Sequence, residues 1–93
     1  MFKVYKYEIK SGEYQDLLMP KGAKILTVQV QGRSVCIWAL VNPDNELESR
    51  RFLIAGTGHA IEGSVDNLLY IGTFQITWEI FPLVFHVFEV ITR

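Results

Sequence analysis

Apolar and polar residues alternate with a period of two along most of this chain, and no window sustains the 3.6-residue apolar period of a helix. The clearest alternation is over residues 24–31, where Leu26, Val28 and Val30 share one side while Thr27, Gln29 and Gln31 share the other. Successive strand side chains point to opposite faces, so this pattern predicts a strand with one buried and one wet face. Residues 2–9, rich in tyrosine and charged at near-alternate positions, predict another, ended by Ser11-Gly12. A short strand over residues 15–19 stops at Pro20-Lys21-Gly22, and the proline favours an edge or terminal position. Gly32-Arg33 supplies a two-residue hairpin connection into residues 34–41.

That next strand is apolar on both sides. Val35, Ile37, Ala39 and Val41 share one face, and Cys36, Trp38 and Leu40 the other, which marks a central strand or a subunit contact. The turn cluster Asn42-Pro43-Asp44-Asn45 leads to a strand over residues 49–55, then to the loop Gly56-Thr57-Gly58-His59. The polar connection over residues 62–67 has room for one helical turn. Residues 68–76 form a further strand whose Gly72 predicts a bulge or a close backbone approach. A connection over residues 77–82 carries Trp78, and residues 83–90 make the last strand. Six or seven strands with turns every 8 to 12 residues predict one all-β domain over residues 1–93, an antiparallel sandwich or barrel-like sheet.

Composition sharpens this picture in two ways. At 93 residues the chain has length for one core only, and its 49 % apolar and 13 % aromatic content is rich for a small domain, so a homo-oligomer that covers the surplus is expected. The net charge of −1 argues against general nucleic-acid binding or attachment to an anionic membrane. Basic residues nevertheless gather early: Lys3, Lys6, Lys10, Lys21, Lys24 and Arg33 outnumber Glu8, Glu13 and Asp16, whereas Arg50, Arg51 and Arg93 meet seven acids later on. Cys36 is the single cysteine, in an apolar run, which predicts a buried, inert thiol and an intracellular setting. The first residues lack the continuous apolar segment of a signal peptide, and no run approaches the roughly 18 apolar residues of a membrane span.

Candidate chemistry centres on Gly56-Thr57-Gly58-His59. Glycine reaches φ > 0 without steric cost, so backbone N–H groups here could converge on a phosphate or carboxylate; a plain tight turn fits the same residues. Arg50 and Arg51 precede the loop, and alternation allows at most one of them to share a ligand's side. Trp38 offers an indole for stacking or for the core. Trp78, in a connection where local burial is difficult, is a candidate contact, as are Phe85, His86 and Phe88 on the two apolar faces of the last strand. The two histidines and one cysteine show no metal-ligand spacing, and no cofactor fingerprint occurs. Ser34, His59 and Asp66 are too scattered to predict a nucleophile with its base, so no enzyme is expected.

The blocks Pro20-Lys21-Gly22-Ala23-Lys24-Ile25-Leu26, Trp38-Ala39-Leu40-Val41, Gly56-Thr57-Gly58-His59 and Leu83-Val84-Phe85-His86-Val87-Phe88-Glu89 together resemble a family of small uncharacterised bacteriophage and prophage proteins. The resemblance covers most of the chain in order and implies action in the cytoplasm of an infected bacterium. Setting and site chemistry together lead to the expectation of a non-catalytic binder of a small anionic, nucleotide-derived ligand, one that sequesters a host immune signal. The alternative is a structural or interaction module for a host or phage protein, docking through a strand edge or the Trp78 loop. An enzyme working through His59 ranks third.

Overall fold

The computed structural model describes residues 1–10 and 12–91; Ser11, half of the turn expected after the first strand, lies outside the described residues. Among the described residues seven strands form, β1 (Lys3–Ile9), β2 (Tyr14–Pro20), β3 (Lys24–Gln31), β4 (Ser34–Val41), β5 (Leu47–Gly56), β6 (Leu68–Ile76) and β7 (Leu83–Val90). One turn of 3-10 helix at Val65–Asn67, capped by the Ser64 hydroxyl, fills the polar connection where room for a helical turn was expected. All pairing is antiparallel, in a three-stranded sheet ordered β1-β4-β3 and a four-stranded sheet ordered β2-β5-β7-β6. The fold is the expected all-β domain.

Turn chemistry explains the connections. Ala23 N–H donates to Pro20 O at 3.1 Å with Gly22 at φ 82°, the geometry of a type II turn, which needs its third residue at positive φ. Gly32, at φ 63°, stands at the first central position between the paired Gln31 and Ser34, where a type II′ hairpin turn requires glycine. The short connections at the two ends of β2 lead to β1 and to β3, opposite edges of the three-stranded sheet, so β2 ties the two sheets together at both ends.

The core lies between the sheets. Ile9, Val28, Ile37, Ala39 and Val41 from the three-stranded sheet meet Met19, Phe52, Phe74 and Val87 from the other. β4 is central, as its two apolar faces predict: Ile37, Ala39 and Val41 are fully buried inside, and Cys36 is buried on the outer face. Leu26 departs from the expected pattern. The register of β3 against β4 shifts between Ile25 and Thr27, so Ile25 and Val28 pair with the inward Ala39 and Ile37, while Leu26 is left 47 % exposed. A bulge adds one residue and sharpens local twist. β6 carries the matching irregularity between Tyr70 and Gly72, and a Cβ on Gly72 would stand only 2.9 Å from Val28 Cγ1. Gly72 thus stands at the predicted bulge, but what approaches it is the Val28 side chain and not another backbone; the absence of a Cβ lets β3 and β6 pack closely along one side of the sandwich.

Candidate functional site

The two ends of the sandwich differ in how much of their polar chemistry is already engaged. At one end, Lys21 N–H donates to Glu46 O (2.7 Å), Asn45 Nδ2 to Lys21 O (2.9 Å) and Gly22 N–H to the Glu48 carboxylate (3.0 Å). Beneath them Arg50 points inward from β5, donating Nη2 to Glu89 Oε1 (3.0 Å), Nε to Glu89 Oε2, and Nη1 to Ala23 O (2.8 Å). The Glu89 side chain is only 6 % exposed, so both groups of this pair are substantially withdrawn from water. Hydrogen bonding to Glu89 holds the guanidinium above its ordinary pKa, outweighing the desolvation that opposes its charge.

The opposite end stands open. Here the last residues of β1, β5 and β6, the β3–β4 turn and the start of β7 surround a cleft of about 750 Å³ between the sheets. Its walls are Ile9 and Val35 on one side and Ile54, Phe74, Ile76 and Phe85 on the other, with Trp78 beside them. The Phe74 and Phe85 rings, on paired positions of β6 and β7, lie 5.4 Å apart at 22° between planes, a stacked pair. Glu8, Lys10, Glu13, Arg33, Ser34 and His59 contribute the polar rim. Apolar walls with few polar groups at the margin are the usual make-up of a small-molecule site.

Gly56-Thr57-Gly58-His59 closes one side of this mouth as a tight turn. His59 N–H donates to Gly56 O at 3.1 Å with Gly58 at φ 84°, and Thr57 N–H donates to Val84 O at 3.2 Å. Two of the backbone donors that an anion nest would need are therefore already bonded, and the plain-turn reading describes the backbone. What the glycines provide is proximity: a Cβ on Gly56 would stand 2.8 Å from His59 Nδ1, so only glycine lets the imidazole fold back over residue 56.

Of the residues expected to bind a ligand, the cleft brings together Gly56 and His59. Thr57 turns outward, its hydroxyl 2.7 Å from His86 Nε2 on the outer face of the four-stranded sheet. Arg50 and Arg51 are six and five residues back along β5, which puts Arg50 about 20 Å from Gly56 at roughly 3.3 Å per residue. Arg50 is bound to Glu89, and Arg51, on the other face, is paired with Asp16 through Nε at 2.9 Å and lies over the Tyr14 ring. Trp38 stands on the outer face of the three-stranded sheet between Lys6 and Thr27, away from the cleft.

Of the expected contact residues, Trp78 and Phe85 line the cleft. His86 and Phe88 face outward: His86 Nδ1 lies 2.9 Å from Thr73 Oγ1, which is 2.6 Å from the Tyr70 hydroxyl, and Phe88 meets the Tyr70 ring edge-on. From the sequence Arg33 reads only as half of a turn. It is the arginine at the cleft, and it has no ion-pair partner among the described residues. The β3–β4 hairpin signal puts it on a tip, but which end of the sandwich that tip reaches follows only from the strand pairing.

The family model described as a domain of unknown function, DUF7352, matches residues 1–93. The chain belongs to the DUF7352 family. No curated protein and no solved structure matches it. In this DUF7352 chain no helix among the described residues is long and apolar enough to cross a membrane, and no group of three or more His, Cys, Asp or Glu among them is placed to hold a metal ion.

Proposed function

We propose that this DUF7352 chain is a non-catalytic binder of a small anionic ligand whose apolar body enters the cleft at the open end of the sandwich. The observation that carries the reading is the cleft itself: about 750 Å³ between the sheets, walled by Phe74, Phe85 and Trp78, with Arg33 at its rim and without an ion-pair partner among the described residues. That volume lies within the roughly 300–1,000 Å³ of sites that enclose small ligands. Binding needs shape, apolar area and an orienting charge, and the cleft offers all three. The resemblance to bacteriophage proteins supports a role in the cytoplasm of an infected bacterium, as a sponge that sequesters a host signal; a nucleotide-derived signal could stack on the aromatic wall. Native mass spectrometry of the protein isolated from infected cells tests this. A retained small molecule that is lost on Trp78→Ala supports the proposal; bare protein that shows no thermal shift with any small anion contradicts it.

A second reading, an interaction module or homo-oligomer contact, is favoured by the β6–β7 connection, where Ile80 is 92 % and Phe81 75 % exposed beside Trp78. Unsatisfied apolar side chains at a loop tip are more costly than a monomer needs. This reading predicts that Ile80→Ser with Phe81→Ser lowers the sedimenting mass or abolishes capture by a defined phage or host partner while ligand binding persists. Unchanged mass and unchanged capture would remove it.

A further inference from the structure

The walls and the rim of the cleft point to a narrower class of ligand, and this step rests on the cleft-binding reading above. Ile9, Val35, Ile54, Phe74 and Phe85 present hydrocarbon only, and among these wall residues Trp78 alone adds a donor, its indole N–H, so the walls replace few of the hydrogen bonds that a base edge and a ribose give up on leaving water. An alkyl chain gives up none, and each methylene that enters gains from leaving water. The rim adds a second discrimination. Lys10 and Arg33 share the rim with Glu8 and Glu13, so the formal charges of these four sum to zero and a ligand with several negative charges meets no net attraction.

A single carboxylate is a different case. It matches the planar fork of one guanidinium, which donates two parallel hydrogen bonds to it. Arg50 and Arg51 have their forks on Glu89 and Asp16, whereas Arg33 has no ion-pair partner among the described residues and sits on a hairpin tip at the rim. We infer that the cleft takes a free apolar monocarboxylate of the medium-chain fatty-acid type, alkyl chain between the sheets and carboxylate on Arg33.

Calorimetric titration of the intact chain with decanoate, decanol and adenosine 5′-monophosphate tests this, together with Trp78 fluorescence in a Trp38→Phe background. Decanoate is expected to bind and to shift the Trp78 emission to shorter wavelength. Arg33→Gln is expected to weaken decanoate by about tenfold and to leave decanol unchanged, the signature of a lost charge-assisted bond and not of a disturbed fold. Binding of the nucleotide without decanoate overturns this inference and leaves the cleft-binding reading standing. Decanoate affinity unaffected by Arg33→Gln overturns the role assigned to Arg33. If none of the three compounds binds or moves the Trp78 emission, the cleft-binding reading falls as well.

Discussion

Arg50 and Arg33 occupy opposite ends of one sandwich, and the difference between those ends is informative. Arg50 is enclosed, with Glu89 and a backbone carbonyl accepting from it, among strands stitched by the turns around Lys21 and Asn45. Arg33 stands at the rim of an open apolar cleft without an ion-pair partner among the described residues. The same side-chain chemistry is therefore structural at one end and available at the other. Position in the sheet decides which, because a guanidinium whose donors are already bonded has nothing left for a ligand.

The largest expected effect breaks the fastened end. Arg50→Ala leaves the Glu89 carboxylate buried without its partner and is expected to cost about 3 kcal/mol in urea unfolding, whereas Arg50→Met with Glu89→Leu recovers most of that loss. A small effect in the single variant would mean that the pair is solvated and that the two ends are alike. Gly56→Ala acts at the open end. The backbone of Gly56 is not at positive φ, and the atom in the way is the exposed imidazole of His59, which can swing aside. A loss of less than about 1 kcal/mol is expected, with a clear change in the His59 ring resonances.

Arg33→Gln, at a turn and with no ion pair to break among the described residues, is expected to leave the stability in urea within about 0.5 kcal/mol of the parent. The smallest effect concerns Asp16, which is exposed and bonded to Arg51. The hydrogen bond from Arg51 holds the Asp16 carboxyl below the ordinary carboxylate range. Its contribution to stability is therefore present above the ordinary aspartate pKa of about 4 and is lost as the pH falls through that value and below. Unfolding midpoints followed downward from about pH 6 should show a slightly shallower acid loss in Asp16→Asn than in the parent.

The strands were legible because their chemistry is local. Alternation over β3, two apolar faces on β4, and the glycines at positions 22, 32 and 58 each report on a few neighbouring residues, and the sheets follow from them. Leu26 was not legible: Ile25 and Leu26 are both apolar, so the alternation continues on paper across a bulge that reverses it. The site was half legible for the same reason. Gly56 and His59 act on each other within one turn, and their side of the cleft could be named from the loop. The arginine could not. Arg50 and Arg51 are near the loop in sequence but point along a strand leading away, while Arg33 arrives from a different hairpin through pairing that no local pattern encodes. Buried Glu89 was hidden likewise, since its partner is 39 residues away.

The claim that the open end is the binding end is tested most directly by mapping backbone amide shifts on titration with decanoate. Amides of Arg33, Ser34, Val35, Gly56 and His59 and the Trp78 indole N–H are predicted to move together and to saturate at one affinity, with Glu48, Arg50 and Glu89 unmoved. Shifts centred on Arg50, Arg51 and Glu89, with the amides around Arg33 and Gly56 still, would contradict the account.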